Sequence, residues 1–236
     1  MAAARSLRNF YVALGIIAVV GVALILTQRQ RRGSVTETLQ AARVAPLPAG
    51  SAVGHKLGYD SAPVEIVEFA DFECPACARF SILEMPYIRE RLIATGRLKW
   101  RFMDFPLQGH ANSPAAHLAA GCADEQGKFF EMIDVIYNRQ NEWVAERRAD
   151  RKMRDYARQV GLDIDRFDTC VETKHAQPLV DADYAEGERL GVDQTPTFIV
   201  NGRVWPTTLL YDDVKAIVDS LAPVGGAASA KPPVRR

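Results

Sequence analysis

Phe72-Glu73-Cys74-Pro75-Ala76-Cys77-Ala78-Arg79-Phe80 (FECPACARF) sets two cysteines three positions apart with proline first between them. Only four cysteines occur in the 236 residues. Immediately upstream, Val64–Phe69 (VEIVEF) is rich in β-branched residues, as a buried strand is. Downstream, a helical pattern runs from about Cys74 to Thr95, interrupted at Pro86, whose missing N–H kinks it. The cysteine pair therefore lies where a strand turns into a helix.

Working outward, Gly96 ends that helix and Leu98–Met103 (LKWRFM) forms a second strand. Ser113-Pro114 marks a helix start, with serine as N-cap and proline in the first turn. The pattern stays helical to about Leu190. Thr197–Val200, Asn201-Gly202 and Arg203–Trp205 follow as a hairpin, and a last helix covers about Leu209 to Leu221. A helical block thus separates a strand-helix-strand unit from a hairpin-helix unit, the pattern of an α/β sheet with an inserted helical subdomain.

Composition bounds the function. Hydrophobic residues make up 48% of the chain, enough for a substantial core, and 29 basic residues balance 29 acidic ones. That balance gives no electrostatic reason for a nucleic-acid partner. Phe10 to Thr27 (FYVALGIIAVVGVALILT) is uncharged and would span about 27 Å as a helix, just short of a hydrocarbon core of about 30 Å. No small-residue cleavage site follows, so an uncleaved anchor is favoured over a removed signal peptide. Arg5 and Arg8 precede the span and Arg29, Arg31 and Arg32 follow it, which leaves the positive-inside rule nearly tied. The expected layout is a cytoplasmic N-terminus (1–9), a transmembrane anchor (10–27), a linker (28–53), a domain (54–222, helical insertion about 112–190) and a disordered tail (223–236). The stretch from Gln28 to Leu57 reads as tether.

Three chemistries compete for Cys74 and Cys77. A structural zinc site needs four ligands, and neither Cys122, Cys170 nor His55, His110, His117 and His175 supplies a second close pair. Two inert buried thiols would leave Pro75 and the strand-helix junction unexplained. A redox pair explains both. A cysteine at a helix start faces unpaired N–H groups and the positive end of the dipole, which favour the thiolate. Pro75 loses nothing in the first turn. Cys74 is then the attacking sulfur and Cys77 the resolving one.

The runs VEIVEFADFECPACARF, CADEQGKFFEMIDVIY and LGVDQTPTFIVNG resemble the DsbA-type, membrane-anchored bacterial branch of the thioredoxin superfamily, over roughly Gly54 to Leu221. The resemblance implies a thioredoxin fold with an inserted helical subdomain. It also implies that Cys74 and Cys77 form the redox-active disulfide, that Pro196 is the cis-proline beside it, and that Thr195-Pro196 receives an extended substrate strand. Glu68 matches the buried acid beneath the pair, whose raised pKa suits proton exchange with Cys77; a solvent-facing Glu68 is the alternative. Asp71 and Glu73 are expected as exposed loop acids. Ala76, where strong oxidants of the branch carry histidine, offers no side-chain support to the thiolate, and Gln194 stands where relatives often have glycine. Relatives with a comparable second pair imply a structural Cys122–Cys170 disulfide; two separate buried thiols are the alternative.

The expected activity is thiol-disulfide oxidoreduction on the extracytoplasmic side of a bacterial membrane, introducing disulfides into unfolded or secreted proteins. A membrane quinone-linked oxidase would reoxidise the pair, with no metal or organic cofactor. The same site run as a reductase or isomerase, and a non-catalytic metal-binding or adaptor module, are the rival readings. The four histidines gain no role.

Overall fold

Five strands of the described residues form one sheet in the order β1-β3-β2-β4-β5: β1 (His55–Leu57), β2 (Val64–Ala70), β3 (Leu98–Asp104), β4 (Thr197–Val200) and β5 (Arg203–Trp205). The structure is a computed structural model that describes residues 53–205 and 208–222. The expected anchor, the tail and the linker up to residue 52 lie outside the described residues. Within them, no helix is long and apolar enough to cross a membrane.

The central pair β2–β3 is parallel, with Glu68 opposite Phe102, and β4 runs antiparallel to β2, with Glu68 opposite Phe198. Parallel neighbours require a crossover. Here it consists of α1 (Pro75–Leu83), α2 (Met85–Ile88) and a π-helical turn (Arg89–Ile93). The helix expected from 74 to 95 thus breaks at Glu84, one residue before Met85-Pro86. Between β3 and β4 stand α3 (Ser113–Asp124), α4 (Phe129–Asn138), α5 (Gln140–Trp143), α6 (Asp150–Gln159), α7 (Ile164–Thr173) and α8 (Gln177–Arg189); α9 (Tyr211–Leu221) follows the hairpin. Asn201 and Gly202 both take positive φ in the hairpin turn, the conformation that Asn-Gly supplies at little cost.

Alternation along β2 sorts the core. Val67 and Phe69 pack with Met103, Phe105 and Ile199 on one side. There α8 approaches so closely that a Cβ at Gly187 would lie 2.5 Å from the Phe105 ring. On the other side, Phe72, Phe102, Phe129 and Tyr137 join the apolar faces of the insertion. Cys122 of α3 and Cys170 of α7 are joined by a disulfide within that subdomain.

Two expectations need correction. β1 is a strand, not tether: His55–Leu57 pairs antiparallel with β3. Three residues are too short to show alternation in sequence. Moreover, His55 and His117 are not idle. His55 Nε2 bonds Asp104 Oδ2 at 3.0 Å and its Nδ1 faces Asp124 Oδ2 at 3.2 Å, while His117 Nδ1 bonds the other Asp104 oxygen. Burial opposes the imidazolium, but the bonds to Asp104 and Asp124 outweigh it and hold the His55 pKa up to about 9. Asp183 accepts the N–H groups of Gly54 (2.8 Å) and Asp104 (3.0 Å) in the same cluster. His55, Asp104 and Asp183 bring ligand atoms within 4.8 Å of one another. The cluster ties β1 to β3, α3 and α8.

The disulfide closes a 48-residue separation, which in the chain-entropy account stabilises the fold by about 4 kcal/mol. A Cys122→Ala/Cys170→Ala double variant is expected to lose about that much in urea unfolding. An unchanged unfolding midpoint would show that the bridge does not carry this stability.

Candidate active site

Cys74 occupies the N-cap of α1 with extended backbone (φ −67°, ψ 119°), and Pro75 follows in the first turn. Strand β2 carries the chain in, and Asp71 begins the turn by receiving the Cys74 N–H on its carbonyl at 3.2 Å. Cys77, one turn into the helix, is fully buried, whereas Cys74 keeps 6% of its surface exposed. The two thiols are unbridged.

Their proton affinities diverge. The Cys77 thiol donates to the Cys74 sulfur, the largest influence on it. Thr195 and the N–H groups of Cys77 and Ala76 add to this against burial, and together they bring Cys74 down to about 5. The helix-start amides matter, but the neighbouring sulfur matters more. Burial, and then the bond to Cys74, push Cys77 well above an ordinary thiol. One proton therefore stays with Cys77 while Cys74 carries the charge.

Facing Cys74 is the loop before β4. The Thr195–Pro196 peptide is cis, and the Cys74 sulfur lies 3.3 Å from the Thr195 carbonyl oxygen, which accepts from it only while it is a thiol. Beside it opens a groove of about 580 Å³, lined by Ala76, Gly191, Gln194, Pro196 and Trp205 among others.

Beneath the pair, Glu68 is buried and accepts the Trp100 indole N–H at 3.0 Å. Burial pushes its pKa to about 8, opposed by that bond and by the Arg89 charge. A neutral carboxyl at physiological pH is a proton donor and, once ionised, an acceptor. Trp100 gave no sequence signal. It reaches Glu68 because β2 and β3 align Ile66 with Trp100 and Glu68 with Phe102.

Asp71 and Glu73 correct the expectation of exposed loop acids, since both are buried. Asp71 Oδ1 accepts the Glu73 N–H (2.7 Å). Its Oδ2 accepts the Leu107 N–H (2.6 Å) and pairs with His110 Nδ1 (2.9 Å). Glu73 Oε2 accepts the N–H groups of Asn112 (2.8 Å) and Ser113 (2.7 Å). That carboxylate, not the Ser113 hydroxyl, caps α3 and meets its positive dipole end; the hydroxyl is buried without a partner. Two acids of the active-site turn thus fasten it to the loop after β3 and to the start of the insertion.

A protein-family model described as thioredoxin matches residues 51–220. The chain is 30% identical over 170 residues to probable disulfide bond formation protein D of Bacillus anthracis, covering 69% of this chain and 76% of that protein. The chain belongs to the DsbA-type thioredoxin superfamily. It is a thiol-disulfide oxidoreductase. The fold also resembles BdbD from Bacillus subtilis in its oxidised form (TM-score 0.65, 24% identity, 76% of this chain and 97% of that one). Wolbachia pipientis α-DsbA1 is comparably similar (TM-score 0.64, 23% identity, 75% and 92%). A Na(+)/H(+) antiporter, NhaA 3 of Salinispora tropica, is 36% identical over 150 residues, covering 63% of this chain and 22% of the antiporter. The chain thus spans about a fifth of that relative's length.

The raised Glu68 pKa carries a stability consequence. Below the ordinary carboxyl range both folded and unfolded forms are protonated and nothing is lost. As pH rises toward about 8 the unfolded chain ionises first, so the fold is progressively destabilised. Glu68→Gln should therefore be increasingly more stable than the parent from pH 5 to pH 8 in urea unfolding. A gap that does not change with pH would mean Glu68 is ionised in the fold.

Proposed function

We propose that the chain oxidises protein thiols on the extracytoplasmic face of a membrane, introducing disulfides into unfolded or secreted proteins through Cys74 and Cys77. The observation that supports this best is the asymmetry of the pair: an acidic Cys74 at the helix start, which keeps 6% of its surface exposed, over a fully buried, proton-retaining Cys77. Stabilising the reduced form in this way makes the disulfide form the stronger oxidant.

The steps follow from that asymmetry. A substrate thiolate attacks the Cys74 sulfur, the sulfur–sulfur bond to Cys77 breaks, and Cys77 leaves as a thiolate. Glu68, neutral at this pH, is the acid beneath the pair that returns a proton to it. The substrate strand lies along Thr195-Pro196, beside the groove at Gln194 and Trp205. A second substrate thiolate then attacks the substrate sulfur of the mixed disulfide and expels Cys74. An acidic thiol is the better leaving group, so this step releases product rather than returning it. A membrane quinone-linked thiol oxidase accepts the electron pair and restores the disulfide.

The layout supporting this role comprises the anchor at residues 10–27, a linker to residue 53, the domain at 54–222 and the tail. Thiol oxidation has its place where thiols are not kept reduced, which puts the domain outside the cytoplasm.

Equilibration with glutathione, followed by alkylation, should give a Cys74–Cys77 couple more oxidising than glutathione. The purified protein should also speed oxidative refolding of a reduced disulfide protein. Cys77→Ala should accumulate the mixed disulfide at Cys74. A couple far more reducing than glutathione would instead make the protein a reductase.

A further inference from the structure

Gln140, the first residue of α5, lies 66 residues from Cys74 in sequence, yet its side-chain amide reaches the active-site turn. Nε2 donates to the Phe72 carbonyl at 2.7 Å and to the Cys74 carbonyl at 3.1 Å. Both partners are acceptors only, so the amide's donor end must face them.

The conformation at Cys74 is set by its two flanking peptide planes. The Glu73–Cys74 plane is held by its N–H, which donates to the Asp71 carbonyl at 3.2 Å. The Cys74–Pro75 plane has no N–H, because its nitrogen belongs to proline, so its carbonyl is the only handle. Within α1 that carbonyl receives the Ala78 N–H at 3.1 Å; from outside it receives Gln140. The Phe72–Glu73 plane is gripped at both ends, by Gln140 on its carbonyl and by Asp71 Oδ1 on its N–H at 2.7 Å.

The arm is rigidly based. Trp143, at the other end of α5, is fully buried and donates its indole N–H to the Ile136 carbonyl at 2.9 Å. The Asn112 amide grips the chain just beyond, reaching the Glu146 carbonyl at 2.9 Å. The clamp therefore rests on the helical subdomain rather than on a free side chain.

We propose that Gln140 is a positioning residue for the redox reaction. By fixing the Phe72 and Cys74 carbonyls it aims the Cys74 sulfur at the Cys77 thiol and the turn amides, and so sets thiolate stability and oxidising power. This rests on the reading of Cys74 as the attacking sulfur. It assigns to the insertion a tuning role that Ala76, between the cysteines, has no side-chain group to perform. Hydrogen bonds to sulfur depend on direction, so a turn that relaxes loses thiolate stabilisation without losing the fold.

The test is the pH dependence of Cys74 alkylation in the reduced protein, for the parent, Gln140→Leu, Gln140→Asn and Asn141→Leu. Asn141 neighbours Gln140 in α5 and is exposed, so it controls for general loosening of the helix. Gln140→Asn keeps the amide but shortens the arm by one methylene, and it retains a polar group should leucine prevent folding. Both Gln140 variants should raise the Cys74 midpoint by about one pH unit, a tenfold loss of thiolate stability. Their couple with glutathione should become about tenfold more reducing, ~30 mV. Asn141→Leu should match the parent. An acidic parent midpoint that the Gln140 variants leave in place, or that Asn141→Leu raises equally, would overturn the assignment of Gln140 alone. An ordinary parent midpoint would instead overturn the underlying reading of Cys74.

Discussion

Two sulfurs at the start of α1 hold one proton between them, and the rest of the site is arranged around which one keeps it. Cys77 is enclosed by the core and has no route to solvent as an anion. Cys74 touches solvent, the turn amides and the Thr195 segment. Burial alone would raise both thiols. Because the proton stays with Cys77, whose thiol bonds the Cys74 sulfur, the same burial that disfavours a Cys77 thiolate supplies Cys74 with its strongest donor. The charge then lies where a partner thiol can reach it, and its counter-proton lies where water cannot remove it.

Holding that arrangement requires a turn that does not relax, and the helical insertion supplies the fastening. Asp71, Glu73 and Gln140 bond residues 72–74 to the strand β3 exit, the α3 start and α5 respectively. Burying two carboxylates is costly unless their oxygens find donors. Here they accept backbone N–H groups left unpaired at a loop and at a helix N-terminus, so each need satisfies the other. Beneath, burial raises the Glu68 pKa to about 8. Three acids within six residues thus hold three different positions: cap, loop clasp and buried partner of Trp100.

Much of this is legible in the sequence. The strand-to-helix setting of Cys74 and Cys77, the helical block and the Asn201-Gly202 hairpin each follow from local patterns that survive folding, because periodicity and turn chemistry are short-range. The burial of Glu68 is what the family resemblance implies; the strand alone leaves it open, since Glu65 lies in the same run. What escaped depends on distant segments meeting. Trp100 has the alternation of any strand residue, and only the β2–β3 register brings its indole to Glu68. Gln140 sits in a four-residue helix with no pattern of its own. Asp71 and Glu73 looked like solvent-facing acids because their donors come from residues 107–113, about 35–40 positions later. His55 fell into a stretch taken for tether, since a three-residue strand carries too few positions to declare itself.

Cys74 and Cys77 differ widely in acidity because they share one proton. That difference is tested most directly by following thiolate absorbance in the ultraviolet while the reduced protein is titrated. One thiolate should appear with a midpoint near 5, as for Cys74, and no second one until the pH is well above the ordinary thiol range. Two thiolates appearing together near the ordinary cysteine range would contradict it.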